Sequence, residues 1–385
     1  QAFFQKGDHI VIIGNGLADR MQHHGWLETY LQAELSGLEL VIRNQGFTGD
    51  RINHRPRSEG FMTEDEYLAL SQADVIFAMF GYNESYDGEP AQFGEALTEW
   101  IERTRTQNYS GKGAPRIVLF SPIAHENLND SNLPDGRDNN ARLAAYTEAM
   151  EAVADEKHVR YLNLFGPSQE LYADALSPLT INGVHLNEDG NRQVAEIIVE
   201  SLLGRQPDAD IAMLESVRAA VLDKNWHWFN RYRATDGNDV WGTRSTLAFT
   251  NDQTNFEVLQ NELVQRDYMT ANRDRVIWAA AAGQAIDPED SNMPQPIEVI
   301  SNIDQPHTQD GVSVPGTLEY VGPEDAIELM TLDQDLRGNL FASEEMFPEM
   351  VNPVQLGVDT RGRLWVASWA TNPKWEPTKE MDDRL

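Results

Sequence analysis

The chain has 385 residues, and its 62 acidic and 30 basic residues give a net charge of −32 at pH 7. This charge repels nucleic acid and anionic lipid, so neither is expected as a binding partner. It has no cysteine, so disulfides, thiolate metal sites, a cysteine nucleophile and covalent haem attachment are excluded within it. No apolar run reaches the roughly 20 residues that a membrane-spanning helix needs.

Residues 1–205 alternate short apolar runs with amphipathic stretches, which predicts one doubly wound three-layer α/β/α domain with a five-stranded parallel sheet. The predicted strands are apolar on both faces, as buried parallel strands are, and comprise residues 9–14, 38–43, 74–81, 116–122 and 159–165. Helical patterns occupy residues 26–35, 63–73, 91–107, 140–158 and 188–204. A capping box from Thr63 to Glu66 opens the second of these. A ligand site is expected at the carboxyl ends of the strands.

The composition changes after residue 205. Residues 206–285 are dense in aromatic and basic side chains and are expected to be largely helical. Residues 286–385 begin with Pro-rich connectors and then alternate with a β period over residues 353–369, where Arg361-Gly362 fits a hairpin turn. One or two hairpins cannot make an independent core, so this segment is expected to pack on the rest of the chain or to belong to a larger β domain.

Four short blocks lie next to the predicted elements and together resemble the SGNH, or GDSL, hydrolase family. The blocks are Gly14-Asn15-Gly16 after the first strand, residues 44–50 after the second, residues 81–85 after the third, and residues 182–190 before the last helix. The resemblance implies that the backbone N–H of Gly49 and the side chain of Asn83 form an oxyanion hole. It also implies that His185 is the general base, and it places Gly16 where the family has its serine.

Two positions depart from that family pattern. The chemistry needs a hydroxyl nucleophile, a histidine that takes its proton, and donors aimed at the developing oxyanion. Gly16 has no side chain, and Asn182 stands where the family has an aspartate three residues before His185, so it cannot stabilise an imidazolium by charge. Two departures favour natural divergence over a single engineered change. We therefore expect a pocket that either binds without reacting or uses a water activated by His185.

Further pocket candidates lie on or next to the same strand ends. The residues predicted to contact substrate are Asn15, Asp19, Asp50, Tyr82, Glu84 and His125. Three of them are carboxylates that could replace the triad, and His125 is equally compatible with an ordinary loop position. Asn83 and Gly49, taken alone, are also compatible with ordinary turn residues, and only the joint pattern of the four blocks favours an oxyanion hole.

A wider resemblance covers the rest of the chain. Residues 223–244, 270–283 and 339–377 resemble the N-terminal part of large multidomain proteins of planctomycetes and verrucomicrobia, named for a membrane-bound dehydrogenase β-propeller and a haem-binding domain. This resemblance implies that the last hundred residues enter a first propeller blade, and that the propeller and haem domains lie beyond Leu385. No cofactor is then expected in this chain itself. It also implies export to the periplasm or the extracellular space.

The expected role is polysaccharide processing, as a carbohydrate O-acyl esterase or as an eroded derivative of one. The alternative is a non-catalytic carbohydrate-binding or docking module of a larger exported oxidoreductase. A third possibility is that the α/β domain only stabilises the propeller. The partners expected are therefore a carbohydrate or acylated small molecule and the downstream domains, and this part of the expectation rests on analogy.

Overall fold

A computed structural model of the chain describes residues 3–58, 60–233, 237–248, 252–299, 307–309, 312–314, 321–371 and 376–385. Two short parts of the runs that carry the wider resemblance lie outside the described residues, namely 234–236 and 372–375. Most of the Pro-rich connector between residues 300 and 320 also lies outside them. The chain divides into two compact units, Gln1–Arg244 with Arg266–Met293 and Ser245–Gln265 with Pro294–Leu385. Within the described residues no helix is long and apolar enough to cross a membrane.

The first unit is built on a five-stranded parallel sheet, as the sequence predicts. Its strands are β1 (His9–Gly14), β2 (Val41–Asn44), β3 (Val75–Met79), β4 (Arg116–Phe120) and β5 (Arg160–Leu162). They lie in the order β2-β1-β3-β4-β5, and every neighbouring pair is parallel. The direction in which the sheet grows reverses at β1, so a crevice forms at the carboxyl ends of β1 and β3.

Helices connect these strands in the manner of a doubly wound fold. They are α1 (Gly16–His24), α2 (Trp26–Glu34), α3 (Glu64–Leu70), α4 (Pro90–Arg105), α5 (Arg137–Lys157), α6 (Phe165–Asp174) and α7 (Glu188–Leu203). The predicted capping box opens α3, with reciprocal hydrogen bonds between Thr63 and Glu66. The sequence patterns did not predict α1 or α6. The predicted fifth strand ends early, at Leu162, and Phe165 already begins α6.

The core lies on both faces of the sheet because the side chains of each strand alternate. In β1, Ile10 and Ile12 join one apolar cluster with residues of α2 and α7. Val11 and Ile13 join a second cluster with residues of α4 and α5. The sheet is thus covered by a helical layer on each side, which is the predicted α/β/α arrangement.

The predicted helical region follows, as α8 (Ile211–Arg233), α9 (Gly237–Val240) and α10 (Asn255–Ala281). Lys224 of α8 is fully buried, and its Nζ donates to Glu28 Oε2 at 2.7 Å. Arg43 of β2 forms two hydrogen bonds with Asp274 of α10, at 2.9 and 2.5 Å. These buried pairs join α8 and the later part of α10 to the α/β layers within the first unit. The predicted boundary near residue 205 stays a prediction.

The second unit contains the first part of α10 and, among its other described residues, short β elements and one short helix. They are β6 (His307–Gln309) with β7 (Val312–Val314), α11 (Pro323–Glu328), and β8 (Pro353–Val358) with β9 (Leu364–Ser368). The last two strands form an antiparallel hairpin, and Gly362 in its turn has φ 77°, so the predicted hairpin is confirmed. Its assignment to a propeller blade stays a prediction.

Candidate active site

A cavity of about 270 Å³ opens at the carboxyl edge of the sheet in the first unit. Its lining residues lie at the end of β3, in the segments that follow β1, β2, β3 and β4, and around the start of α7. Three of the predicted catalytic residues line it, namely Gly16, Asn83 and His185, together with the predicted binding residues Asn15 and Tyr82. The cavity is at the place where doubly wound sheets bind ligands.

The block before α7 holds His185 in one orientation. Asn182 Oδ1 lies 3.1 Å from His185 Nδ1, and it also accepts hydrogen bonds from the backbone N–H groups of Val184 and His185, at 3.2 and 3.0 Å. Those backbone donors identify the atom as the amide oxygen, which only accepts, so Nδ1 carries the proton and Nε2 keeps a lone pair. Burial and then the charge of Arg20 lower the pKa of His185, which favours the neutral base.

The unprotonated nitrogen of His185 faces Gly16. A Cβ atom built on Gly16 would lie 3.7 Å from His185 Nε2 and 3.9 Å from Cδ2. Gly16 is also the first residue of α1, with Asn15 at the N-cap. The N–H groups of a first helical turn have no acceptor within the helix and favour negative charge. The site therefore has a general base and first-turn backbone donors next to Gly16.

Asn83 lines the cavity, but its amide hydrogens already have acceptors. Nδ2 donates to Thr48 O at 2.8 Å and to Asp50 O at 3.1 Å, which occupies both N–H bonds of the amide. Gly49 is exposed and is not one of the residues that line the cavity. In this structure Asn83 joins the loop after β3 to the loop after β2. The oxyanion-hole role of Asn83 and Gly49 stays a prediction.

Asn15 and Tyr82 contribute different chemistry to the cavity wall. Asn15 is buried, and its Nδ2 has no hydrogen-bond partner among the described residues. The Tyr82 hydroxyl accepts a hydrogen bond from Asn139 Nδ2 at 2.8 Å, which fixes the ring. The centre of the Tyr82 ring lies 5.9 Å from that of Tyr86, which is exposed. The cavity thus combines one available amide donor with a wall of two aromatic rings.

The two predicted aspartates are held in ion pairs and do not line the cavity. Asp19 Oδ1 accepts from Arg233 Nη2 at 2.7 Å, and Asp19 Oδ2 accepts from the Thr48 hydroxyl at 2.6 Å. Asp50 is buried and forms two hydrogen bonds with the guanidinium of Arg57, at 2.7 and 2.8 Å. These contacts make both carboxylates supports of the loop after β2, and their predicted substrate contacts stay predictions.

Glu84 and His125 also lie outside the cavity lining. The Glu84 carboxylate accepts hydrogen bonds from the backbone N–H groups of Ile52 at 2.8 Å and Gly81 at 2.9 Å. Burial raises the pKa of Glu84. The His125 ring is packed so closely that a Cβ on Gly183 would lie 2.4 Å from its Nε2. Both side chains hold loops together in this structure.

Arg20 is a cavity residue that the sequence patterns did not single out. It lies four residues after Gly16 on α1, and only a long hydrogen bond of 3.4 Å joins its Nη2 to Leu186 O. Arg20 Nε is buried without a partner, and within the described part of the chain Arg20 forms no ion pair. The i to i+4 spacing from Gly16, which places two residues on one helix face, was the signal that could have identified it.

Two hydroxyl side chains of the Ser and Thr type are among the described lining residues, and both are engaged. Thr48 donates to Asp19 at 2.6 Å. Ser121 Oγ donates to Pro122 O at 3.1 Å and accepts from Leu164 N at 2.8 Å. Neither hydroxyl donates to His185. Over the same described ranges, no group of three or more histidine, aspartate or glutamate side chains is arranged to hold a metal ion.

Comparisons with known proteins bear on the part of the chain that forms this site. No curated protein matches the chain. One similar solved structure is a gut microbial diltiazem-metabolizing enzyme, with 18% sequence identity, a TM-score of 0.40, and coverage of 52% of this chain and 48% of that one. A second is an alpha/beta hydrolase enzyme from the metagenome of Lake Arreo, Spain, with 18% identity, a TM-score of 0.40, and coverage of 52% of this chain and 98% of that one. A third is a catalytic mutant of an acetylxylan esterase from Geobacillus stearothermophilus, with 15% identity, a TM-score of 0.41, and coverage of 54% of this chain and 99% of that one. The chain thus spans about half the length of the diltiazem-metabolizing enzyme.

The family comparison covers the sheet, the cavity and most of α7. Residues 7–193 match the GDSL-like Lipase/Acylhydrolase family. This range contains Gly16 and His185 as well as every other residue that lines the cavity. Residues 7–193 of this chain therefore form a GDSL-like lipase/acylhydrolase domain.

Proposed function

We propose that this domain hydrolyses acyl esters of carbohydrates, with His185 as the general base and water in place of a serine hydroxyl. The observation that carries the proposal is the distance of 3.7 Å between His185 Nε2 and the position of a Cβ atom on Gly16. That spacing leaves room for a water oxygen within hydrogen-bond reach of Nε2. A base of the correct tautomer thus faces the place from which a nucleophile attacks.

In the proposed reaction, Nε2 takes a proton from the water as the water oxygen bonds to the acyl carbonyl carbon. The carbonyl oxygen becomes an anion and is stabilised by the backbone N–H of Gly16 at the start of α1. The bond between the carbonyl carbon and the sugar oxygen then breaks. The imidazolium of His185 returns its proton to that oxygen, so that one water yields one carboxylic acid and one free sugar hydroxyl.

The carbohydrate part of the proposal rests on the aromatic wall of the cavity. The rings of Tyr82 and Tyr86 are adjacent, and the second is exposed at the rim. Aromatic faces pack well against the apolar faces of sugar rings, while their hydroxyls keep polar contacts. An acylated sugar would place its ring on this wall and its ester carbonyl between Gly16 and His185.

The test compares acetate release from 4-nitrophenyl acetate and from acetylated xylan by the full chain and by two variants. His185→Ala is expected to lower kcat/KM by about 10²- to 10⁴-fold, the usual contribution of a general base. His54→Ala is the matched control, because the His54 side chain is exposed and outside the cavity. Equal rates for the full chain and His185→Ala would overturn the catalytic proposal. An acylated peptide found by mass spectrometry during turnover would overturn the direct attack by water.

A non-catalytic binding function is the second candidate, and the contacts of Asn83 favour it. Both amide hydrogens of Asn83 are bonded to loop carbonyl groups, so the predicted side-chain donor of an oxyanion hole is occupied. In that case the domain presents a glycan to other domains of a larger oxidoreductase. Binding of an acetylated oligosaccharide that Tyr82→Ala weakens, without any acetate release, would support this candidate over hydrolysis.

The wider setting is part of the same proposal. We infer that the protein is exported to the periplasm or beyond and continues into propeller and haem domains, in polysaccharide processing. Support comes from the resemblance of residues 223–244, 270–283 and 339–377 and from the strongly acidic composition. Cell fractionation with an antibody to this chain tests it, because detection in the cytoplasmic fraction alone would contradict export.

A further inference from the structure

We propose that the cavity receives a ligand that carries a carboxylate, with Arg20 as its counter-ion. This inference deepens the proposed function and rests on it to the extent that the same cavity binds the substrate. The ligand class is an acyl ester with a carboxylate close to the ester group. The carboxylate belongs either to an acidic sugar or to a dicarboxylic acyl group, and the chemistry that Arg20 recognises is the same in both.

The charge of the lining is opposite to the charge of the chain. The chain has 62 acidic residues and a net charge of −32. Among the described residues that line the cavity there is nevertheless no aspartate or glutamate, whereas Arg20 supplies a positive charge. A strongly acidic protein repels anions from its surface, so an anionic ligand needs a local positive site of this kind. The composition of the lining therefore selects for a negative ligand rather than a neutral one.

Arg20 has unused binding capacity. A guanidinium has five N–H donors, and for Arg20 one of them makes a hydrogen bond of 3.4 Å to Leu186 O, while Nε is buried without a partner. A buried donor without an acceptor is unfavourable and is normally satisfied. The neighbouring carboxylate, Asp19, does not fill this role, because its oxygens are taken by Arg233 and Thr48. Arg20 is thus left for a ligand.

A second polar group points to the same ligand. Asn15 lines the cavity at the N-terminus of α1, is 2% exposed, and has no partner for its Nδ2 among the described residues. Arg20 lies five residues further along the chain on α1, about 7.5 Å away along the helix axis, and about one helical turn after Gly16. A ligand with its ester carbonyl near Gly16 and a carboxylate about one helical turn away would satisfy both groups. The guanidinium can bind such a carboxylate through two parallel hydrogen bonds.

The experiment measures binding to the full chain by isothermal titration calorimetry with four probes. They are the methyl glycoside of O-acetyl-glucuronic acid, the methyl ester of that compound, an O-acetyl methyl xyloside, and an O-succinyl methyl xyloside. The methyl ester removes the charge and adds only one methyl group, so it is the matched control for the first probe. We expect at least one of the two carboxylates to bind about 10- to 100-fold more tightly than its neutral counterpart, with the preference weakened by added salt.

The variants assign that preference to Arg20. Arg20→Gln is expected to abolish it, and Arg137→Gln, which removes the same charge from a side chain that is 86% exposed outside the cavity, is expected to retain it. Arg20→Lys keeps the charge and is expected to retain part of the preference, so it replaces Arg20→Gln if that variant does not fold. Equal binding of charged and neutral probes, or a preference that persists in Arg20→Gln, overturns the inference. Preference for the glucuronate assigns the carboxylate to the sugar, and preference for the succinate assigns it to the acyl group.

The two proposals fail in different ways. Hydrolysis that depends on His185, with equal rates for charged and neutral esters both in the full chain and in Arg20→Gln, leaves the esterase proposal intact and removes the carboxylate. Binding of a carboxylate that depends on Arg20, without any release of acid, removes the esterase proposal and leaves the carboxylate site intact.

Discussion

Restoring a hydroxyl at residue 16 is expected to convert the cavity into a serine esterase site. A Cβ at this position lies 3.7 Å from His185 Nε2, and Gly16 does not have a positive φ, so a side chain adds no backbone strain. With a C–O bond of about 1.4 Å, the new hydroxyl oxygen reaches about 2.8 Å from Nε2 at a C–O···N angle near 120°, which is hydrogen-bond geometry. Gly16→Ser therefore places a nucleophile and its base in contact without movement of either element.

The second change, Asn182→Asp, supplies the charge that an imidazolium needs. Asn182 Oδ1 accepts all three hydrogen bonds that this side chain makes with the block before α7, one of them from His185 Nδ1. A carboxylate can accept the same bonds, so the substitution removes no contact. It adds a negative charge next to Nδ1, which raises the pKa of His185 and stabilises the protonated form in the transition state.

The assay measures kcat/KM for 4-nitrophenyl acetate and covalent labelling by a fluorophosphonate. We expect the double variant Gly16→Ser with Asn182→Asp to exceed the unsubstituted chain by at least about 100-fold, the lower end of what a general base contributes, and Gly16→Ser alone to gain less. Gly16→Ala is the matched control, since it fills the same space without a hydroxyl. A folded double variant that is neither labelled nor faster than Gly16→Ala would refute the orientation assigned to His185.

Three further predictions concern charge and buried contacts. His185 must be neutral to act as a base, and burial and Arg20 lower its pKa. Hydrolysis should therefore persist below pH 6.5, about the ordinary pKa of a histidine, and be lost as the pH falls through the lowered pKa. In a pH–rate profile, Arg20→Gln should lose activity at a higher pH than the unsubstituted chain does. Lys224→Met leaves the buried Glu28 carboxylate without its partner. Urea titrations should then show a free energy of unfolding lower by about 3–5 kcal/mol. The double variant with Glu28→Gln, which removes the unpaired charge, should recover part of this loss. Glu84→Gln keeps one acceptor oxygen for two backbone donors, so the free energy of unfolding should fall by about 1–3 kcal/mol. A loss of activity at an unchanged free energy of unfolding would contradict the structural role of Glu84.

The sheet could be predicted from the sequence because buried parallel strands are nearly continuous apolar runs. The runs that contain β1 and β3 were identified within two residues of their ends, since both faces are covered by helices. The α1 helix was missed because its sequence is polar and short, so the apolar pattern that marks a helix is absent from Gly16–His24. The fifth strand was predicted too long because Phe165, which continues the apolar run, is the first residue of α6.

The site could be predicted only in so far as it depends on neighbours in sequence. The contact between Asn182 and His185 spans three residues and follows from the block itself. The contact of Asp19 with Arg233 spans 214 residues, and no local pattern indicates that this carboxylate is already paired. For the same reason, the sequence does not show that Arg20 has no ion-pair partner among the described residues, because this depends on the pairing of the neighbouring Asp19 carboxylate with the distant residues Arg233 and Thr48. Partners of this kind are set by packing, and one sequence alone does not reveal them.

The contacts of α8 with the end of β2 and with the loop after it have a consequence for the order in which the protein is made. Trp228 Nε1 donates to Asn44 O at 2.6 Å, and Arg233 donates to Gly46 O at 3.1 Å. A ribosome releases the chain from its N-terminus, so all five strands have emerged before either of these side chains exists. During that interval, Asp19 and Arg43 lack the cation and the carboxylate that later pair with them. The loop that borders the cavity thus acquires its final support only after translation has passed well beyond residue 193, where the family match ends.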